Sequence, residues 1–458
     1  MSMVEERRRA LLRLAGACGI WTVAPRARAA EEVPAPPQRE PLVVTGATLH
    51  PVSGPSLPGG RMWVDGGRIK AVLGADDPLP AAAAAARRLD LAGRHVCPGF
   101  IAANTSLGLV EVNSVRATLD TTETGAVNPH ARAVVAVNAD SELLSVARTN
   151  GVLAALAVPL AGRRGLISGT SALIQLDGWN WQDMALVPEV GLHVHLPSMR
   201  LTRHALPALS EPLLDELRRS TSRRLRLLDE SFESARAYSK LRQSDPSAPW
   251  DARWEAMRPV FEQQRPVFVH ADELAQIRHA LGLAERFELR LVIVGGADAW
   301  RMPELLRQRG VPVIVAGVHE LPRRRDDDVD TPFRLPARLA QAGVQYCISR
   351  VGGERSASNE RNLPYEAATA AAHGLAPEEA LKAISLHAAR ILGADDSLGS
   401  LQPGRLASFI VTDGDPLETT TRIERLYVQG REVDPGNRQR RLERKYEQRY
   451  RSGSSATR

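Results

Sequence analysis

The stretch "LHVHLP" sets two imidazoles, His193 and His195, two residues apart, and "PVFVHADEL" adds a third, His270. On an extended strand residues i and i+2 share a face, so the rings of the first pair point the same way. With His270 they form a candidate three-histidine site for zinc, which favours imidazole, thiolate and carboxylate donors. The competing expectation is that histidines on a strand ending at proline are hydrogen-bonded core groups. Asp272-Glu273 and His319-Glu320 follow apolar runs; they are candidates for a pocket rim, or ordinary loop charges. Serine chemistry has less support: "NTS" and "GTS" occur without a G-x-S-x-G elbow, and no base or orienting group can be assigned to either. "GRRGLISGTSALIQLDGW" (162–179) is punctuated by glycine and lacks Walker or Rossmann spacing, so a β-turn pair is expected there. Cys97 and Cys347 lie inside apolar strand-like runs and are expected to be buried thiols.

Stepping outward from these residues, the middle of the chain alternates short apolar runs with amphipathic helical patterns. "GVLAALAVPL", "GLHVHLP", "PVFVHADEL", "ELRLVIVGG", "VPVIVAGV" and "GVQYCISRV" are strand candidates, and "LAQIRHALGLAERF", "MPELLRQRG" and "LPARLAQAG" are helices between them. Such alternation predicts an α/β fold with a parallel sheet, closed at this length into a TIM-like (β/α) barrel over 97–403. A helical insertion is expected at 211–258, its many arginines making a solvated, salt-bridged face. The runs "LVVTGATLHPV" and "GGRMWVDGGRIKAVLG" near one end, and "GRLASFIVTDGDPL" and "IERLYVQGREV" near the other, alternate and turn as β-strands do. They predict a composite β-domain, 42–96 plus 404–435, built by both chain ends. Residues 436–458 form a basic tail in which Leu442, Tyr446 and Tyr450 recur at helical spacing, predicting one amphipathic helix packed back on the body.

The N-terminus has the organisation of an export signal: a charged start, the apolar "ALLRLAGACGIWTVAP", and a small-x-small site at Ala27 and Ala29. Residues 1–29 are therefore expected to be a signal peptide and 30–41 a proline-rich linker. "RRALLR" resembles a twin-arginine signal, which directs the chain to an exported, periplasmic location. Removing residues 1–29 takes away six arginines and two glutamates, which lowers the formal net charge from +6 to +2. A nearly neutral body with 4% aromatic residues gives no basis for nucleic-acid binding, and the apolar run is too short to span a bilayer.

The segment 362–417, "NLPYEAATAAAHGLAPEEALKAISLHAARILGADDSLGSLQPGRLASFIVTDGDPL", is similar to a run of the amidohydrolase superfamily in which a "GSLxPGxxAD" turn leaves the barrel. "GRIKAVLG", "GRHVCPGFI", "VIVGGADAW" and "VPVIVAGV" extend the resemblance over 42–433 and point to the imidazolonepropionase-like branch. The resemblance implies a barrel carrying one or two divalent metals at the C-terminal ends of its strands. A metal-bound hydroxide there attacks a C–N or similar bond, and an acid on the last strand moves the proton.

Read position by position, the resemblance leaves few donors. The first-strand histidine pair falls on Asn104 and Ser106, and the preceding acid on Ala102. His270 matches a later strand histidine, the next is met by Gly295 and Gly296, and the last-strand acid by Ser349 and Arg350. A bridging carboxylated lysine is not expected, because the four lysines (Lys70, Lys240, Lys382, Lys445) fall in helices, the β-domain and the tail. Asn104, Ser106, His270, Gly295, Ser349 and Arg350 are thus pocket candidates without an assigned catalytic role. No cofactor is expected, zinc being the exception if the family site is rescued, with His193, His195 and His270 as relocated ligands. Three functions stay open: a hydrolase of non-peptide or cyclic C–N bonds, an enzyme with a moved site, and a non-catalytic descendant that binds a small molecule or partner at the barrel mouth. The sequence leaves the oligomeric state open.

Overall fold

The computed structural model describes residues 33–201, 206 and 208–454, and residues 34–458 cluster as one compact unit. The expected signal peptide, 1–29, lies outside the described residues. The chain opens with β1 (Leu42–Leu49), β2 (Leu57–Asp65), β3 (Arg68–Leu73), β4 (Arg87–Asp90) and β5 (His95–Pro98). β2 and β3 form a hairpin across Gly66 and Gly67, whose φ angles of 57° and 75° are those a two-residue turn needs to match strand twist. After the barrel come β16 (Phe409–Thr412), β17 (Ile423–Val428) and β18 (Arg431–Val433). They complete one sheet in the order β18-β17-β16-β5-β1-β2-β3, with β4 on β1. The composite β-domain is therefore made by both chain ends. Its core holds Val44, Met62, Ile69, Phe409 and Tyr427, the last two rings stacked 4.4 Å apart.

Between these halves run β6 (Phe100–Thr105), β7 (Val152–Ala157), β8 (Ile167–Thr170), β9 (Ala172–Gln175), β10 (Ala185–Val187), β11 (Leu192–His195), β12 (Val267–Ala271), β13 (Leu291–Gly295), β14 (Val313–Ala316) and β15 (Tyr346–Ser349). β6 and β7 are parallel, as are β11 through β15 in sequence order. The stretch between them corrects the expected turn pair at 162–179. β8 and β9 are one strand interrupted at Ser171: β9 pairs antiparallel with β7 and β8 antiparallel with β11. This antiparallel stave completes an eight-stave TIM barrel. Alternate residues, among them Ile101, Leu156, Phe268, Val294, Ile314 and Cys347, pack together as its filled interior.

The insertion consists of a 34-residue helix, Glu211–Ser244, and a second helix, Ala252–Phe261. Their facing sides bury Leu228, Phe232 and Met257, while Arg219 and Arg223 pair with Glu216 outside. The tail forms the helix Arg438–Ser454, tied to the body at its start by Arg441 and Glu142, while Leu442, Tyr446 and Tyr450, the face expected to pack back, are 42%, 47% and 71% exposed. No helix among the described residues is long and apolar enough to cross a membrane.

Candidate functional site

The histidine trio is assembled by strand register. Pairing of β11 with β12 sets His193 beside Phe268 and His195 beside His270. His193 and Phe268 stack at 4.8 Å, and His195 and His270 at 3.9 Å, so all four rings share the barrel interior. His193 Nδ1 lies 3.0 Å from His270 Nε2, and His195 Nε2 lies 3.0 Å from Ser168 Oγ. Burial lowers the pKa of all three imidazoles, that of His195 to about 4. They are therefore neutral at pH 7, since the cationic form loses its hydration there.

Ser168, buried beside His195, links the trio to a cleft at the barrel mouth. Its hydroxyl donates to the Pro159 carbonyl at 2.8 Å and, with Asp120, Glu123, His130 and Arg132, lines a cleft of about 390 Å³. With its proton directed at the Pro159 carbonyl rather than at His195, Ser168 is not arranged as an activated nucleophile. The antiparallel run of β8 brings Ser168 to this mouth. Its local sequence, "LISGTS", carries no signal for that direction, and sequence reasoning missed it.

The pocket candidates divide. Asn104 Nδ2 donates toward the carbonyls of Arg350 and Val351, at 3.4 and 3.2 Å. β6 and β15 are the first and last staves and stand side by side outside either ladder. Asn104 thus ties the seam where the barrel closes. Ser106 and Ser349 are fully buried, and their hydroxyls have no partner among the described residues. Arg350 pairs with the fully buried Glu366. Glu366 also accepts from the backbone N–H of Val318 and His319, at 2.5 and 2.8 Å, so it holds the loop after β14. Gly295, at φ 102°, sits so close to Asp272 that a Cβ would lie 2.4 Å from its Oδ1. A Cβ at Gly296 would lie 2.6 Å from Val313. Neither position admits a histidine without moving its neighbours.

Of the acidic pairs, Glu273 is structural: it accepts from the Ser198 hydroxyl at 2.6 Å and the Met199 N–H at 2.7 Å. Asp272 pairs with Arg323 at 2.6 Å, and with Glu320 it borders a cavity of about 40 Å³. His319 Nε2 lies 2.6 Å from Thr369 Oγ1. Another residue that sequence reasoning missed is Glu360, from the turn after β15. Its carboxyl is fully buried, with no well-formed hydrogen bond among the described residues. Burial pushes its pKa up to about 8, partly offset by the Thr105 hydroxyl and the Arg350 charge. Cys97 and Cys347 are buried free thiols, their pKa values raised by burial.

A divalent ion needs at least three strong donors converging on one point. Among the described residues no three His, Cys, Asp or Glu side chains are placed to do so. His193 and His270 turn their nitrogens toward each other, and His195 turns to Ser168. Among the described residues these side chains do not converge as the one or two divalent metals implied by the resemblance would require.

An amidohydrolase family model matches residues 182–433. The chain superposes on an amidohydrolase from Thermotoga maritima MSB8 with a TM-score of 0.74 and 23% identity, over 86% of this chain and 99% of that one. A Xaa-Pro dipeptidase solved with methionine in its active site gives a TM-score of 0.51 at 13% identity, over 86% and 100% of the two chains. Both likenesses concern the fold. A 57-residue stretch is 40% identical to an N-acetylgalactosamine-6-phosphate deacetylase of Escherichia coli O157:H7, covering 12% of this chain and 14% of that protein. The chain spans less than a third of the length of the curated relatives it matches.

Proposed function

The chain belongs to the amidohydrolase family, and from that premise we propose that it binds a small molecule at the barrel mouth without assembling the family's hydrolytic metal centre. Family membership implies hydrolysis of C–N bonds, and "VIVGGADAW" and "VPVIVAGV" support a place beside the imidazolonepropionase-like branch. One observation carries the reading away from hydrolysis. At the seam, where the family places its first metal ligands and its proton-moving acid, Asn104 bonds to backbone carbonyls and Arg350 to Glu366. An amide held by carbonyls is a weak donor to zinc, and an arginine cannot accept a proton. The cleft above Ser168, about 390 Å³ with acidic, basic and hydroxyl groups around it, falls in the range of small-molecule sites.

A relocated centre on His193, His195 and His270 is the second reading. It is favoured by their neutral state and by two imidazole nitrogens 3.0 Å apart, since neutral imidazole is the metal-binding form. We also read the protein as exported, from the charged-apolar-small order of residues 1–29. One preparation tests these readings. The processed chain is recovered from the periplasmic fraction, its first residue is read by mass spectrometry, and its metal content is measured. We expect a start near residue 30 and far less than one equivalent of metal. Near-stoichiometric zinc, manganese or iron refutes the metal-free reading. Loss of that metal in His193→Ala and His195→Ala then identifies the relocated centre, and an unprocessed cytoplasmic chain refutes export.

A further inference from the structure

A second cavity of ligand size lies at the other end of the barrel. Pro266, Arg290, Pro312 and Gln345, which precede β12, β13, β14 and β15, border a space of about 620 Å³. In barrels of this kind chemistry is carried out at the C-terminal ends of the strands, so nothing in the reading above uses this N-terminal face. Its lining is of two kinds. The floor is apolar, made by Leu281, Val292, Val311 and Ile391. Around it stand three guanidinium groups, Arg290, Arg309 and Arg390, and a single carboxylate, Glu285.

The charges do not cancel. Glu285 holds Arg309 at 2.7 Å. Arg290 donates to the Gln263 carbonyl at 3.1 Å, which leaves its charge uncompensated. Arg390 has no side-chain partner among the described residues. Two positive charges therefore border a concave surface of ligand size that is partly polar and partly apolar. A guanidinium presents a planar fork that matches a carboxylate, and an apolar floor rewards a hydrophobic body. We propose that this cavity binds a small organic anion, a carboxylate with a compact aromatic or branched apolar body, at a site separate from the barrel mouth. The anion lies with its carboxylate toward Arg390 and Arg290 and its body on Leu281 and Val311. A bare inorganic anion meets only half of this lining, and so does a neutral isostere.

Calorimetric titration of the processed full chain with benzoate, benzamide and inorganic phosphate tests this. Benzoate is expected to bind saturably at one equivalent, with benzamide and phosphate at least tenfold weaker. Arg390→Gln should weaken benzoate about tenfold or more, the effect of one charge-assisted hydrogen bond, while its thermal unfolding stays that of the parent. Glu285→Gln should act in the opposite sense and tighten benzoate a few fold, because it frees Arg309. Absence of saturable benzoate binding overturns the proposal. So does phosphate binding as tightly as benzoate, which marks a charge-only surface, or equal benzoate affinity in the parent and both variants, which puts the ligand elsewhere.

Discussion

Glu360 and the histidine trio have opposite effects on stability as pH changes, and together they predict a maximum near pH 7. In the unfolded chain a histidine takes a proton at about 6.5, whereas burial holds His193, His195 and His270 neutral in the fold to well below that, His195 to about 4. Below pH 6.5 the unfolded state therefore binds more protons, and stability falls as pH falls, by about 1.4 kcal/mol per pH unit for each histidine. The three are in contact and titrate as a set. Glu360 works in the other sense. Its unfolded value is 4.5 and its folded value about 8, so between these the fold keeps a proton that the unfolded chain has lost. Its contribution declines by about 1.4 kcal/mol per unit as pH rises through that window. From pH 6 to 5 nearly three protons oppose one, giving a net loss of roughly 2–3 kcal/mol; from pH 6.5 to 8 Glu360 removes about 2 kcal/mol while the last unfolded-state histidine protons return about 1 kcal/mol. His50, His279 and His387, lowered by partial burial, add to the acid side. Urea unfolding across pH 5–8, on the parent and Glu360→Gln, measures both limbs. The variant should keep the acid limb and lose the alkaline one. A parent-minus-variant stability difference that stays flat from pH 6.5 to 8, or an alkaline fall that survives Glu360→Gln, refutes the assignment of Glu360 as a buried neutral acid.

Two further predictions concern the barrel seam. Asn104→Ala leaves the Arg350 and Val351 carbonyls without their donor and should cost about 1–3 kcal/mol in urea unfolding; Asn104→His should lose the same tie without gaining a metal, as elemental analysis would register. Arg350→Met strands the buried Glu366 carboxylate and should cost about 3–5 kcal/mol, whereas the double change with Glu366→Gln should recover most of that loss. A double variant no more stable than Arg350→Met would show that the pair's charge is not what matters there.

Periodicity within single segments determined much of this protein. The glycine-turned runs at both ends encode strands that meet in one sheet, and strand-helix alternation from Leu192 onward encodes the parallel staves β11 to β15. The residue types at Asn104, Ser106, Gly295 and Arg350 set the expectation of few strong metal donors, because donor strength belongs to the side chain. What those residues do instead was decided by tertiary structure. Asn104 meets the carbonyl of Arg350 across 246 residues, and no local pattern records such a partner. The same holds for Glu360, a polar residue in a polar-looking turn that closure of the barrel buries, and for Ser168, whose place at the mouth follows from one reversed strand. The tail helix erred in the other direction: its apolar spacing is real, but spacing specifies only a face, and whether a surface exists to cover it depends on where the chain has gone.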